Sequence, residues 1–122
     1  MGIVAKYRFD PTIYADYMPE FNSDFYGYYV SSDVENDDGT ITRTIECYTT
    51  PKGIQFGQWY NAENDNATPK SLSLLEVYEM DLSTATSING MFRKCQNLTA
   101  VHCQFNCNFN NIITLQEMFY EC

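Results

Sequence analysis

The chain has 122 residues, and seven Lys and Arg against sixteen Asp and Glu give a formal net charge of −9. A surface that acidic repels phosphate backbones and anionic lipid, which argues against nucleic-acid binding and polybasic membrane docking. At 44% hydrophobic and 19% charged the composition is that of a folded chain, and its ten Tyr, eight Phe and one Trp exceed what a minimal core needs, as expected of half-buried strands and contact surfaces.

The segment Met1–Arg8 has no basic region followed by an apolar stretch, so it does not read as a secretory signal. Lys6 stands where a myristoylation signal after Gly2 would carry Ser or Thr. No run approaches the roughly 18 apolar residues of a membrane span. Ile3 to Phe9 alternates, with Ile3, Ala5, Tyr7 and Phe9 on one face, and predicts a half-buried strand. Asp10-Pro11 has the form of an N-cap followed by proline at the first helical position, which predicts about two helical turns over Thr12 to Met18, stopped by Pro19.

Phe25 to Val34 and Thr40 to Tyr48 flank Glu35-Asn36-Asp37-Asp38-Gly39, a hairpin signal because Asp-Gly supplies the positive φ of a tight turn. Asp33-x-Glu35-x-Asp37 has alternate oxygens, but Gly39 falls one place late for a calcium loop and no bidentate Glu follows, so a solvated turn is the reading. Ile54 and Phe56 mark a further short strand, closed by Trp59-Tyr60. Residues 61–70 are polar, carry Pro69, and read as a linker or long surface loop.

From Leu72 onward the period changes. Leu72, Leu75 and Val77 reappear 26 places later as Leu98, Val101 and Cys103. Leu82, Ile88, Met91, Phe92 and Cys95 reappear 27 places later as Phe109, Leu115, Met118, Phe119 and Cys122. One inserted residue explains the change of offset, and the unit has leucine-rich-repeat length. Such a unit buries its apolar face only by stacking on its neighbour.

This pattern, with Met-Phe-x-x-Cys closing each unit, resembles the BspA-type leucine-rich repeat of bacterial, mycoplasma and gut-phage surface proteins. The resemblance covers about 50 of the 122 residues. It implies a right-handed solenoid with a short strand per turn and a role in adhesion or recognition rather than catalysis. Surface members carry a leader and many repeats, whereas this sequence ends at the last Cys of the second unit, so the array is expected to continue or to be capped by a partner.

The expected fold is therefore α+β: a β-rich anchoring or capping module over 1–60, a linker over 61–70, and two repeats over 71–122 that begin a solenoid. Chemistry is sparse. His102 is the sole imidazole, and adjacent side chains on a strand point oppositely, which makes a Cys103–His102 nucleophile pair awkward. Cys103-x-x-x-Cys107 beside His102 lacks a second pair at zinc-finger spacing; with Cys47, Cys95 and Cys122 these make five cysteines, read as small reduced hydrophobes. Gly53-x-x-x-Gly57 lacks the Lys-Ser/Thr ending of a phosphate loop. No catalytic site, metal or cofactor is expected.

Binding fits better. Glu76, Tyr78, His102 and Gln104 lie between the ladder positions and form a candidate recognition strip. Tyr14, Tyr17, Phe21, Phe25, Tyr26, Tyr28, Tyr29 and Trp59 form a candidate aromatic anchor for another subunit. The expectation is a non-enzymatic attachment protein of a phage virion, in its tail, collar or head decoration. It would work in a homo-oligomer or multi-protein assembly, with a host-surface receptor as a further partner. The alternative is a bacterial cell-surface or secreted adhesin of the same repeat type.

Overall fold

The structure is a computed structural model and describes residues 2–21, 27–49, 51–85 and 91–102. Seven strands and a short helix follow one another in it: β1 (Gly2–Phe9), β2 (Glu20–Phe21), β3 (Tyr28–Glu35), β4 (Ile41–Cys47), β5 (Ile54–Gln55), α1 (Pro69–Ser73), β6 (Leu74–Met80) and β7 (Ala100–Val101). They make a five-stranded sheet of order β3-β4-β1-β6-β7 and a two-stranded sheet of β2 and β5.

β1 is the predicted strand, with one change of face. A register shift between Ile3 and Ala5 inserts Val4 as an extra residue. Val4 is thereby buried with Ala5, Tyr7 and Phe9, and Ile3 is left 39% exposed. The hairpin forms as predicted: Glu35 pairs with Ile41, Gly39 N donates to Asn36 O at 3.0 Å, and Gly39 has φ 86°. Arg43 shares the buried face of β4 with Ile45. Its guanidinium lies over the Phe9 ring, 5.2 Å from the centroid, and donates to both Asp33 carboxylate oxygens at 2.8 and 2.9 Å.

The helix predicted over Thr12–Met18 does not form. Asp10 closes a single turn, its carbonyl accepting from Ile13 N and Tyr14 N at 3.1 and 3.2 Å. The chain then extends, because Tyr17 turns inward: its hydroxyl donates to Phe56 O at 2.6 Å, and its own carbonyl accepts from the Tyr7 hydroxyl at 2.8 Å. Rings of Tyr7 and Tyr17 meet edge to face at 5.2 Å. Tyr17→Phe would leave a buried carbonyl without its donor, at a cost of ~1–3 kcal/mol. Urea unfolding should show that loss in midpoint with an unchanged slope.

The solenoid expectation is overturned. The protein is a small, mostly β domain with no stacked-coil solenoid among its described residues, and β6 joins the sheet antiparallel to β1. Leu74 and Val77 thus bury against Phe9 and Tyr7, in the sheet that β1 and β4 began, instead of against a following coil. Residues from both sides of the 61–70 segment share this core, and Phe92 stacks on Phe56 with centroids 5.4 Å apart.

The repeat-like segments do meet, as the parallel pair β6–β7. Val77 there faces Val101, two residues short of the offset that set it against Cys103. Leu82, Met91, Phe92 and Cys95 are buried, whereas Leu72, Leu75, Leu98 and Val101 are half-buried. Ile88, Cys103, Phe109, Leu115, Met118, Phe119 and Cys122 lie outside the described residues, as does Cys107.

Candidate functional site: a charged cluster and an aromatic margin

Alternation along β1 sends Tyr7 and Phe9 into the core and Arg8 onto the opposite, open face of the sheet, where it stands across from Glu76 of β6. Its Nε and Nη2 donate to Glu76 Oε1 at 2.9 and 2.5 Å, and its Nη1 reaches Thr40 Oγ1 at 3.4 Å. The other carboxylate oxygen of Glu76 contacts His102 Nε2 at 2.7 Å. A register shift between Lys6 and Tyr7 gives β6 one extra residue there, and the Tyr78 ring lies parallel to the imidazole, at 5.4 Å and 8°.

Three members of the predicted recognition strip, Glu76, Tyr78 and His102, are therefore gathered in one place; Gln104 lies outside the described residues. Sequence reasoning missed Arg8, although its alternation with Tyr7 and Phe9 placed it on the open face.

This cluster clasps strands together. Glu76 bridges a guanidinium on β1 and an imidazole just past β7, whose backbone is tied to β6 by His102 N donating to Val77 O at 2.8 Å and Thr99 N to Leu75 O at 2.9 Å. The hydrogen bond from His102, then that from Arg8, holds the Glu76 carboxyl below its ordinary range. A depressed carboxylate pKa contributes stability above the unfolded-state value near ~4.3 and loses it as pH falls through the folded value. The stability advantage of wild type over Glu76→Gln is therefore expected at neutral pH and should shrink on titration from about pH 5 to about pH 3. Thermal melts across that range check it; a gap that widens in acid contradicts the clasp.

A second charged group ties the loop after β5 to the segment 91–94. Arg93 donates to both Asp65 oxygens at 2.7 and 2.5 Å, the Tyr60 ring covers its guanidinium at 5.5 Å, and Arg93 holds the Asp65 carboxyl down at about 2. Cys47 and Cys95 are buried, and burial pushes the Cys47 thiol up. Among the described residues no three His, Cys, Asp or Glu side chains converge as a metal site would require.

The anchor aromatics divide. Tyr17 is 0% exposed and belongs to the core, so it is unavailable to a partner. Phe21 is half-buried with its ring 4.6 Å from that of Tyr28. Tyr14, Tyr28, Tyr29 and Trp59 are exposed, the indole Nε1 donating to Glu20 Oε2 at 3.0 Å. Phe25 and Tyr26 lie outside the described residues. Sequence reasoning missed Tyr48, 72% exposed with its ring 6.5 Å from Tyr29, and Val34, 53% exposed on β3. Tyr48 follows the last residue of β4, and its place at the end of an alternating run was the available signal.

Comparison with known proteins finds no matching family model, no matching curated protein and no matching solved structure.

Proposed function

We propose that this chain is a non-enzymatic docking subunit of a multi-protein assembly, and that the assembly is a virion. The observation that carries the docking reading is the exposed margin of Tyr28, Tyr29, Val30, Val34 and Tyr48 along β3 and the end of β4. Exposed rings of this kind are what interface cores are enriched in, because they bury large area for little lost side-chain freedom. The acidic remainder of the surface disfavours the competing nucleic-acid and lipid partners. The virion is the setting implied by the resemblance of the Met-Phe-x-x-Cys segments, and the strip at Glu76, Tyr78 and His102 is the surface offered to a host receptor.

Purified particles should carry the chain at fixed copy number. Replacing Tyr48 and Trp59 together by Ser should lower incorporation by about tenfold or more, equivalent to a loss of ~1.4 kcal/mol or more. Absence of the chain from particles, or unchanged incorporation, overturns the reading.

A further inference from the structure

The last turn of β4 carries a carboxylate that no cation of the described chain answers. Glu46 is half-buried on the open face of the sheet, in a row between Tyr29 of β3 and Ile3 of β1. Alternation brings Tyr48 to the same side, where it is 72% exposed and its ring lies 6.5 Å from that of Tyr29. Among the described residues no Lys, Arg or His nitrogen forms an ion pair with Glu46.

Elsewhere the chain completes this arrangement twice with an arginine of its own. Arg43 lies over the Phe9 ring at 5.2 Å and donates to both Asp33 oxygens at 2.8 and 2.9 Å. Arg93 stands against the Tyr60 ring at 5.5 Å and donates to both Asp65 oxygens at 2.7 and 2.5 Å. In each case a ring face and a carboxylate hold one guanidinium together, a combination that suits its planar fork better than the point charge of a lysine. Glu46 and Tyr48 repeat the ring and the carboxylate without an arginine of the chain.

We propose that Glu46 and Tyr48 receive an arginine side chain of a different protein, its guanidinium paired with the carboxylate and stacked on the ring. The proposal rests on the docking reading, of which it names the chemistry of the partner. A second copy does not supply the group, because Arg8, Arg43 and Arg93 are the arginines of the sequence and each already donates to a carboxylate of its own chain. Two copies at −9 also repel each other, whereas the same charge draws in a basic partner and speeds its encounter. Ile3, 39% exposed, borders the carboxylate with apolar surface, which lowers the local dielectric and strengthens the pair.

A single contact of this kind is weak, and a Kd between about 0.1 mM and about 1 mM is expected for it in isolation. Inside an assembly, neighbouring contacts raise the local concentration and make it effective. Added salt should weaken it by screening.

The probe is a peptide of about eight residues alternating Arg and Ser, titrated into the isotope-labelled full chain and followed by NMR up to about 5 mM peptide. Amide shifts should concentrate at Glu46 and Tyr48. Glu46→Gln and Tyr48→Ser should each weaken binding by about fivefold or more while melting as wild type does. Glu63→Gln removes the same charge from the exposed loop after β5 and should leave the Kd within about twofold. The same peptide with Lys for Arg should bind about threefold or more weaker. Absence of binding, a Kd unchanged by Glu46→Gln or by Tyr48→Ser, equal loss on Glu63→Gln, or a lysine peptide that binds as tightly overturns the proposal. Particles separate this failure from that of the docking reading. Incorporation that falls in the Tyr48 and Trp59 variant but not in Glu46→Gln keeps docking and overturns the arginine, whereas incorporation unchanged in the former overturns docking itself.

Discussion

Gly57→Ala is expected to destabilise the chain by about 3 kcal/mol or more, the upper end of what overpacking costs, and to lower its melting temperature by roughly 10 °C. A Cβ on Gly57 would lie 2.2 Å from Arg93 O, 2.4 Å from Arg93 N and 2.8 Å from the Phe92 carbonyl carbon. These are main-chain atoms, so relief requires two segments to separate rather than a side chain to swing away. Those segments are fastened to each other: Phe56 N and Gly57 N both donate to Met91 O, at 2.9 and 2.8 Å, and Gln58 N donates to Arg93 O at 3.1 Å. Parting them also disturbs the Phe56 carbonyl that receives the Tyr17 hydroxyl.

Two other glycines calibrate the effect. Gly39 has φ +86° and open space around it, so alanine there pays only the left-handed backbone cost of about 1 kcal/mol. Gly2 has nothing within 4 Å and should tolerate alanine within about 0.5 kcal/mol. Differential scanning calorimetry on the three variants should return that order, and a Gly57→Ala protein melting within about 2 °C of wild type would contradict the close approach.

Gly57 also illustrates where sequence reading stops. As one half of Gly53-x-x-x-Gly57 it lacks the ending of a phosphate loop and carries no other local signal, whereas its role is to let residues 56–58 lie against 91–93, a contact between segments far apart in the chain. Local signals fared better where local physics decides. The Glu35–Gly39 turn and the alternation of β1 were legible because turn chemistry and period two act over a few residues.

Helix signals were ambiguous. Asp10-Pro11 and Thr68-Pro69 carry the same start signal, yet only the second opens a helix, with the Thr68 hydroxyl accepting from Ser71 N at 3.3 Å. At the first, the demand of the core for the Tyr17 ring outweighs the propensity of seven residues to coil, which no local window reveals. For the candidate site, the strip at Glu76, Tyr78 and His102 was legible from alternation, but Arg8 required knowing that β6 lies beside β1. The repeat similarity located residues that are buried without revealing what buries them, since apolar periodicity states only that a face must be covered.

That distinction yields the second large effect. Phe92 and Phe56 are buried and nearly parallel, with centroids 5.4 Å apart and an interplanar angle of 18°. Each replaced by alanine should cost about 3–5 kcal/mol, from lost transfer and the cavity left behind. Losses of that size approach the whole stability of a small domain, so Phe92→Leu, expected to cost less than about 1.5 kcal/mol, keeps the measurement within a folded range. The pair, rather than either residue, is the informative quantity. Because the rings cover each other, the double substitution should cost less than the two singles together, with a coupling of about 0.5–1.5 kcal/mol. Urea unfolding of Phe56→Leu, Phe92→Leu and the double variant measures that coupling directly. Additive losses would mean that Phe92 takes its burial from elsewhere in the chain, and that the segments on either side of residues 61–70 contribute to stability independently.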